Sequence, residues 1–374
     1  MTHMSHQPLS NAAPTPDNVD RMLLRVLDEA LTAEPWRREA PVAIVNDVTG
    51  ALSHWAREHM RDVRFVQDSA ALAAQQAHIT GSPVATTPTP EVLAGVVTVV
   101  YRLARPLEAL EEFSWLVARW ANPEVLLLAG QLQRHLNFSM NRVLAQNFDD
   151  VTASRGYHKA RALRARSPHA LRGDVPPRMP RKNHVHVAGE DIQLRAFGLT
   201  FGAARLDPGT ELLLETITAL PPEQFASDAT VVDLGCGNGT IAVALAKSVP
   251  SLNIIATDDS ASAVASTTAT LAANDLDDIE VLHQSGLEQL ADASVDAVVL
   301  NPPFHRGTEL TSDVAFYLFE EAARTLQPGG VLWTVFNAAR HYRPQLEDRV
   351  GPTWQLARDR RFIVTQSQKD DTLG

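Results

Sequence analysis

The sequence has few of the features that mark secreted or membrane proteins. Its 374 residues include a single cysteine, Cys236, so the chain cannot form an internal disulfide and suits a reducing compartment. No uninterrupted apolar stretch approaches the about 18 residues that a membrane-spanning helix needs. Residues 1–17 also lack the cationic and then apolar pattern of a signal peptide. We therefore expect a cytoplasmic protein without a membrane partner.

Positive charge is scarce as well, and it is unevenly spread. The 33 Lys and Arg residues against 44 Asp and Glu give a net charge of −11, which argues against indiscriminate nucleic-acid binding, because phosphates are neutralised by Lys and Arg. Between Arg155 and Arg205, however, eleven Lys or Arg stand against three acids, a net +8. This segment suits contact with an RNA backbone, and a solvated linker without a partner is the alternative. The histidines show no ligand spacing, so we expect no metal.

The length of the chain favours two domains, and 45% hydrophobic residues are enough to bury both cores. The opening is rich in Ser, Pro, Asn, His and Thr, and a second proline-rich stretch lies near the middle of the chain. We predict a disordered tail over residues 1–18, a first domain over 19–165, a basic proline-rich linker over 166–185 and a second domain over 186–374.

A glycine-rich turn stands early in the second half. Val231-Val232 runs into Asp233-Leu234-Gly235-Cys236-Gly237-Asn238-Gly239, and Thr240–Ser248 is rich in Ile, Ala, Val and Leu. Glycines allow positive φ and the close approach of a ligand to the backbone, so the pattern predicts a strand, a turn and a crossover helix. By itself this turn also occurs in dehydrogenases and in purely structural βα units.

Acidic residues around the turn narrow the range of ligands that it could bind. A second strand is predicted over Asn253–Thr257, and Asp258, about twenty residues past the last glycine, is placed to accept hydrogen bonds from ribose hydroxyls. Asp259 either reinforces that contact or is a solvated turn acid. Asp233 would repel a pyrophosphate but would suit a cationic amino group, such as that of S-adenosylmethionine.

A second motif closes the apolar run Val295–Leu300. It reads Asn301-Pro302-Pro303-Phe304-His305 and falls where a parallel strand would end. The Asn301 side-chain oxygen and the Pro302 carbonyl can both accept from one exocyclic amino group. Pro303 stiffens the turn, and Phe304 offers a face on which a base can stack. The pattern predicts methyl transfer to a planar conjugated amine, and a proline-capped strand end is the structural alternative.

The first half resembles a degenerate copy of the second. Strands are predicted over Val42–Val45, Val96–Val100 and Glu124–Ala129, but the turn Asn46–Gly50 has one glycine where the second half has three. No Asn-Pro-Pro-Phe follows Val96–Val100. We predict an α/β protein with two tandem Rossmann-like class I methyltransferase domains, the first of which has lost cofactor binding. An unrelated first α/β domain is the alternative.

From about Ala204 onward the chain resembles the catalytic half of the bacterial ribosomal RNA guanine-N2 methyltransferases, which depend on S-adenosylmethionine. The resemblance is carried by Leu206-Asp207-Pro208-Gly209-Thr210, the turn Asp233–Gly239, Asp258-Asp259-Ser260, Ala263-Val264-Ala265-Ser266, Asn301–His305, Asn337 with Tyr342, and Arg361-Phe362-Ile363-Val364. Within the group, the first half resembles the large-subunit enzyme through Val42–Ser53, Ala129-Gly130 and Tyr157–Arg161, and Thr311–Ala315 favours it too. Pro208, Ser285 and Ala338-Ala339 depart from the family pattern.

The resemblance implies methylation of the exocyclic N2 amine of a guanine in 23S rRNA, free or partly assembled. The alternatives are the same reaction on 16S rRNA, N5-glutamine methylation of a protein, and a non-catalytic RNA-binding assembly factor. The catalytic residues would be Asn301, Pro302, Pro303 and Phe304. The residues that hold S-adenosylmethionine would be Asp233, Gly235, Cys236, Gly237, Asp258, Asp259 and Ser285, the last where the family has an adenine-contacting Asn or Asp. Cys236 is interpreted as a small packing residue of the turn, because no paired histidine is evident to make it a nucleophile.

Overall fold

The chain divides into two compact units, residues 1–68 with 72–177 and residues 69–71 with 178–374. The structure, a computed structural model, describes residues 13–169, 179–221, 226–302 and 310–370. Each unit has its own sheet and its own hydrophobic clusters.

In the described part of the first half, the chain forms seven strands and six α-helices, with two short 3-10 helices at Pro35–Arg38 and Gln133–His135. The strands are β1 (Val42–Val45), β2 (Val63–Val66), β3 (Val84–Ala85), β4 (Thr98–Arg102), β5 (Leu126–Leu132), β6 (Phe148–Ala153) and β7 (Ala160–Pro168). The helices are α1 (Asn18–Ala33), α2 (Ala51–His59), α3 (Ala70–Thr80), α4 (Pro90–Leu93), α5 (Leu107–Trp120) and α6 (Phe138–Leu144).

The second half begins with a two-stranded hairpin and continues into a second sheet. The hairpin consists of β8 (Arg181–Val187) and β9 (Glu190–Ala196). The sheet consists of β10 (Thr230–Leu234), β11 (Asn253–Asp258), β12 (Glu280–His283), β13 (Val295–Leu300), β14 (Leu326–Asn337), β15 (Thr353–Arg358) and β16 (Phe362–Gln368). The helices are α7 (Pro208–Thr218), α8 (Thr240–Ser248), α9 (Ala261–Ala272), α10 (Leu310–Thr325) and α11 (Arg343–Arg349).

The two sheets have the same topology. The first has the order β3-β2-β1-β4-β5-β7-β6 and the second β12-β11-β10-β13-β14-β16-β15, which is one order when each is numbered from its own first strand. In both, five strands are parallel and the last two pair antiparallel. The predicted fold of two tandem Rossmann-like domains is therefore confirmed.

Burial explains why the strands were recognisable from the sequence. β1 is buried at all four positions, and β13 at every position but Asp296, because both faces of a parallel sheet are covered by helices. The predicted bounds of α8 and β13 are those observed. The strand predicted over Val96–Val100 begins two residues later, at Thr98, because Val96 and Val97 are buried without belonging to the ladder.

The turns after β1 and β10 have the same backbone conformation at both ends. Gly50 and Gly239 have φ of 80° and 79° and immediately precede α2 and α8. Four residues earlier in each turn, Asn46 and Gly235 have φ of 54° and 77°. The turns differ at the middle position, where Gly237 has a φ of 56° and Val48 does not have a positive φ.

Two predicted boundaries differ from what the structure describes. Asp17 and Asn18 were assigned to the tail, but Asn18 begins α1, and Asp17 caps it by accepting from the backbone N–H groups of Val19 and Asp20. Residues 1–12 lie outside the described part of the chain. The predicted linker, residues 166–185, contains the end of β7 and the start of β8, and residues 170–178 are not described.

Candidate cofactor and amine site

The site lies at the carboxyl edge of the second sheet. β10 pairs in parallel with β11 on one side and with β13 on the other, so the three segments that follow these strands meet at one edge. A cavity of about 510 Å³ opens there. Its lining residues from these segments include Gly235, Cys236, Gly237, Asp258, Asp259, Asn301 and Pro302, and Ser285 joins them from the end of β12.

The glycine turn is held by its neighbours and remains open to a ligand. The N–H groups of Gly235 and Cys236 donate to the Thr257 carbonyl at 2.8 and 2.9 Å. The space that a Cβ of Gly235 would enter is empty to 4 Å among the described atoms. A ligand can therefore come into contact with this backbone, as the sequence predicted.

Asp258 links two turns of the site. One carboxylate oxygen accepts from the Gly237 N–H at 2.9 Å and the other from the Ser260 N–H at 2.9 Å. A carboxylate can accept more than two hydrogen bonds, so these two contacts do not exclude the predicted ribose contact, which stays a prediction. Asp259 lines the same cavity, and its backbone carbonyl contacts His283 Nε2 at 2.9 Å.

Asp233 is buried near the glycine turn rather than exposed at the cavity wall. Its side chain is fully buried and is not among the residues that line the cavity. One oxygen accepts from the Ala242 N–H at 3.1 Å in α8, and no described residue donates to the other. Burial, reinforced by the charge of Asp258, raises the pKa of Asp233 to about 7. The observed contact positions α8, and direct binding of an amino group stays a prediction.

Cys236 behaves as a packing residue. It is buried, and the Thr267 hydroxyl donates to its sulfur at 3.2 Å. Burial raises the pKa of the thiol well above its ordinary value, so the thiol stays protonated. This is the opposite of what a nucleophilic cysteine needs.

Gln284 is a site residue that sequence reasoning missed. It lines the cavity beside Ser285 and is 5% exposed. Its carbonyl oxygen accepts from the Gln289 N–H at 2.9 Å, which leaves the Nε2 donor without a partner among the described residues. A buried amide donor without a partner is costly unless a ligand or water accepts from it. The available signal was its position, directly after a strand of the parallel sheet.

Aromatic residues at the cavity were also missed. Phe201, which is 57% exposed, and Tyr317 both line it. The Tyr317 hydroxyl donates to Glu288 at 2.7 Å, and the ring lies so close to Gly286 that a Cβ there would be 2.7 Å from that hydroxyl. The cavity thus has an apolar, partly aromatic wall, which suits a nucleoside.

Asn301 lies at the end of β13 with its side-chain amide held in one orientation. Nδ2 donates to Asp207 Oδ1 at 3.0 Å and to Thr210 Oγ1 at 2.9 Å. Oδ1 is buried and receives no hydrogen bond from the part of the chain that the structure describes. Pro302 is buried and lines the cavity. Pro303, Phe304 and His305 lie outside the described residues, so their predicted roles stay predictions.

The described residues lack two further features. They contain no group of three or more His, Cys, Asp or Glu residues arranged to hold a metal ion. Among the helices described, none is both long enough and apolar enough to span a membrane.

Known families match both halves of the chain. Residues 192–366 match the Methyltransferase small domain, and residues 7–169 match the RLMG N-terminal domain. A ribosomal RNA large subunit methyltransferase G from Streptomyces coelicolor is 31% identical over 92% of this chain and 93% of its own length. A protein of the same name from Shewanella amazonensis is 32% identical, over 65% of this chain and 62% of its own length.

A solved structure matches the fold. A T. thermophilus 16S rRNA N2 methyltransferase (RsmC), in complex with AdoMet and guanosine, has a TM-score of 0.78 to this chain. The two are 24% identical, and the match covers 96% of this chain and 94% of the other. At this level of identity the likeness concerns the fold.

The buried carboxyl of Asp233 predicts a pH-dependent stability. Its folded pKa of about 7 lies above the ordinary 3.8, so the native state holds this proton more tightly than the unfolded state does. Ionisation therefore lowers the free energy of unfolding as pH rises from about 4 to about 7, by on the order of 4 kcal/mol. Asp233→Asn, which can still accept from Ala242, should remove this loss.

Urea unfolding of wild type and Asp233→Asn at about pH 5 and about pH 8 measures the effect. We expect the stability advantage of the variant to grow between the two pH values. Asp277→Asn is the matched control, because the Asp277 side chain is exposed in the folded protein. If the difference in the free energy of unfolding between Asp233→Asn and wild type is the same at both pH values, this account is wrong.

Proposed function

Because the chain belongs to the ribosomal RNA large subunit methyltransferase G family, as the resemblance predicted, we propose that it methylates N2 of a guanine in large-subunit rRNA. The family assignment confirms the predicted enzyme class, an S-adenosylmethionine-dependent rRNA methyltransferase. The guanine, its N2 position and the 23S rRNA are the finer parts of the proposal.

The observation that carries the proposal is the free acceptor on Asn301. Oδ1 of this residue is buried at the cavity without a described donor, while its Nδ2 is engaged by Asp207 and Thr210. A buried acceptor of this kind is costly unless a ligand donates to it. The exocyclic amine of guanine carries two N–H groups, one for Asn301 Oδ1 and one for the carbonyl of Pro302.

The residues of the chain would act by orientation. S-adenosylmethionine, when bound, supplies a methyl group on a positively charged sulfur. Asn301 and Pro302 would fix the amine so that its lone pair points toward that methyl group, which lowers the entropic part of the barrier. No general base is required, because the nitrogen becomes positively charged on methylation and its proton can then leave to water. Stacking by Phe304 stays a prediction.

The cavity residues fit the proposed cofactor. The open backbone at Gly235 permits close approach, and Asp258 supplies carboxylate oxygens for ribose hydroxyls. The Gln284 Nε2 donor offers a hydrogen bond to an acceptor on the nucleoside. Ser285 lies beside it at the position where we predicted the adenine contact.

The hairpin β8–β9 is a candidate surface for the rRNA backbone. Lys182, His184 and His186 alternate along β8 and are exposed, so they share one face. Arg195 of β9 pairs directly with Lys182 and extends this face. The opposite face packs into the core of the second unit through Val187 and the apolar residues of β9. Asp191, which pairs with His186 and contacts its Nδ1 at 2.9 Å, lies on the same face, so the groups available to phosphates are Lys182 and Arg195.

Two rival functions are less well supported. A protein-glutamine methyltransferase would usually carry a tyrosine where this chain has Phe304, and it would not need the first domain. A non-catalytic RNA-binding factor would have no use for the held Asn301 amide or for the buried Gln284 donor at the cavity.

The proposal is tested by incubating the protein with labelled S-adenosylmethionine and, separately, protein-free 23S rRNA, protein-free 16S rRNA and intact subunits. We expect N2-methylguanine in free 23S rRNA, because a guanine must be unstacked to enter a cavity. Label confined to 16S rRNA would overturn the large-subunit assignment. Label in none of the RNAs would favour a protein substrate or a binding role.

Replacing Asn301 tests the amine site directly. Asn301→Ala should lower kcat by roughly 100-fold or more, because the oriented acceptor is lost, while affinity for S-adenosylmethionine stays within about threefold. Single-turnover methylation and calorimetry measure the two effects. Asn253→Ala is the control, since the Asn253 amide donates to the Asp228 carbonyl and lies outside the cavity. Undiminished methylation by Asn301→Ala would rule the mechanism out.

The hairpin predicts a salt-dependent contribution to RNA binding. Lys182→Ala should lower the slope of log affinity against log salt concentration by about 0.7 to 0.9, because one phosphate contact is lost. Affinity for S-adenosylmethionine should not change. Arg57→Ala, at an exposed position of α2, is the matched control. An equal slope for wild type and Lys182→Ala would remove Lys182 from the RNA surface.

A further inference from the structure

We propose that Asp207 and Thr210 are positioning residues that set the amide orientation of Asn301 and so keep its oxygen available to the substrate amine. This inference rests on the proposed function and names two residues through which Asn301 acts. Neither was assigned a role by the sequence analysis, although both lie in the segment Leu206–Thr210 that carries the family resemblance.

The hydrogen-bonding chemistry of the contact allows one orientation. A carboxylate has only acceptors, so the Asn301 atom 3.0 Å from Asp207 Oδ1 must be the NH2 group. The second hydrogen of that group donates to Thr210 Oγ1 at 2.9 Å. If the amide were flipped, its oxygen would face the carboxylate oxygen at the same distance. Repulsion between the two acceptors disfavours that state.

Asp207 is itself fixed by the start of α7. The same oxygen that faces Asn301 accepts from the N–H groups of Gly209 at 2.9 Å and Thr210 at 3.0 Å, as an N-cap does. Thr210 is 7% exposed, so its hydroxyl has little freedom to move. The start of α7 thus fixes the Asp207 carboxylate, and this carboxylate in turn fixes the orientation of the Asn301 amide.

The first unit provides an internal comparison. Arg102 follows the β4 residue Tyr101, which pairs with the end of β1, just as Asn301 follows Leu300, which pairs with the end of β10. Asp17 caps α1 as Asp207 caps α7, and Asp20 lies three residues further on, as Thr210 does. Arg102 donates to both Asp17 and Asp20.

The comparison distinguishes a contact that only stabilises the fold from a contact that also orients a side chain toward the cavity. In the first unit Asp17 and Asp20 bind the side chain of Arg102, the last residue of β4. In the second unit Asp207 and Thr210 bind the side chain of Asn301, the residue directly after β13. In the first unit that side chain is a guanidinium, which has donors and no acceptor. In the second it is an amide, and its two partners there leave its oxygen at the cavity without a donor among the described residues. A link needed only for stability would not require that oxygen.

Paired substitutions test the role through catalysis. Thr210→Val removes one acceptor at nearly constant shape and should lower kcat by roughly 10-fold, with KM for RNA and affinity for S-adenosylmethionine within about threefold. Thr210→Ser should rescue most of the lost kcat. Asp207→Ser keeps an oxygen that can cap α7, but its side chain is too short to reach Asn301, so kcat should fall. Asp207→Asn keeps an acceptor within reach of Asn301, so most of the kcat should be retained. Thr216→Val is the control on α7, because the Thr216 hydroxyl donates to the Leu212 carbonyl within the helix.

A second measurement reads the positioning without activity. In protein labelled with ¹⁵N-asparagine, the Asn301 side-chain amide, assigned by its absence in Asn301→Ala, should exchange its hydrogens slowly in wild type. In Thr210→Val and Asp207→Ser it should exchange at least about 10-fold faster. Equal exchange in wild type and both variants, or equal kcat for Thr210→Val and Thr210→Ser, overturns the positioning role. Wild type that methylates no RNA but shows the exchange difference would contradict the proposed function alone.

Discussion

Strand β10 is hydrogen-bonded in parallel to β11 and to β13, and this double pairing determines where the functional side chains lie. The register places Leu234 beside both Thr257 and Leu300, so the glycine turn, Asp258 at the end of β11, and Asn301 all lie at one level of the sheet edge. Parallel pairing also requires a crossover helix after each strand, which is why α8 starts at the glycine turn. Without this constraint, residues up to about 70 positions apart in sequence would have no reason to meet.

The structure could be predicted from the sequence where residues close together in the chain determine it. The bounds of α8 and β13 follow from apolar runs between turn residues, and Cys236, interpreted as a packing residue, is buried against Thr267. Asn301 and Asp258 could be placed at one sheet edge because ligand sites lie at strand ends, and both line the cavity there. The position of Asp233 could not be predicted, because whether a side chain lines a cavity or lies beneath it depends on tertiary packing. The same holds for Gln284, whose buried and unpartnered donor becomes visible only in three dimensions.

The contact between Asp207 and Asn301 shows another limit of sequence reasoning. An Asp before Pro-Gly-Thr is recognisable as a helix cap, but its second partner lies 94 residues away. Both units use the same arrangement, with Asp17, Asp20 and Arg102 in one and Asp207, Thr210 and Asn301 in the other. The similarity of the two units therefore extends to a specific side-chain network. The guanidinium of Arg102 has no acceptor for a substrate amine, whereas the amide of Asn301 has one.

The ion pair in the first unit bears on how such a domain evolves. Asp20 is fully buried and the Arg102 side chain is 16% exposed, and burial raises the pKa of Asp20 although the Thr49 hydrogen bond and the charge of Arg102 oppose that shift. Removing one partner of a buried pair leaves an uncompensated charge, at a cost of about 3 to 5 kcal/mol, which is a large part of the stability of a domain. Replacing Arg102 by asparagine alone would thus lower the stability of the first unit. An amide at position 102 is accessible only together with a change in its acidic partners, so the residues of this network constrain one another during sequence drift.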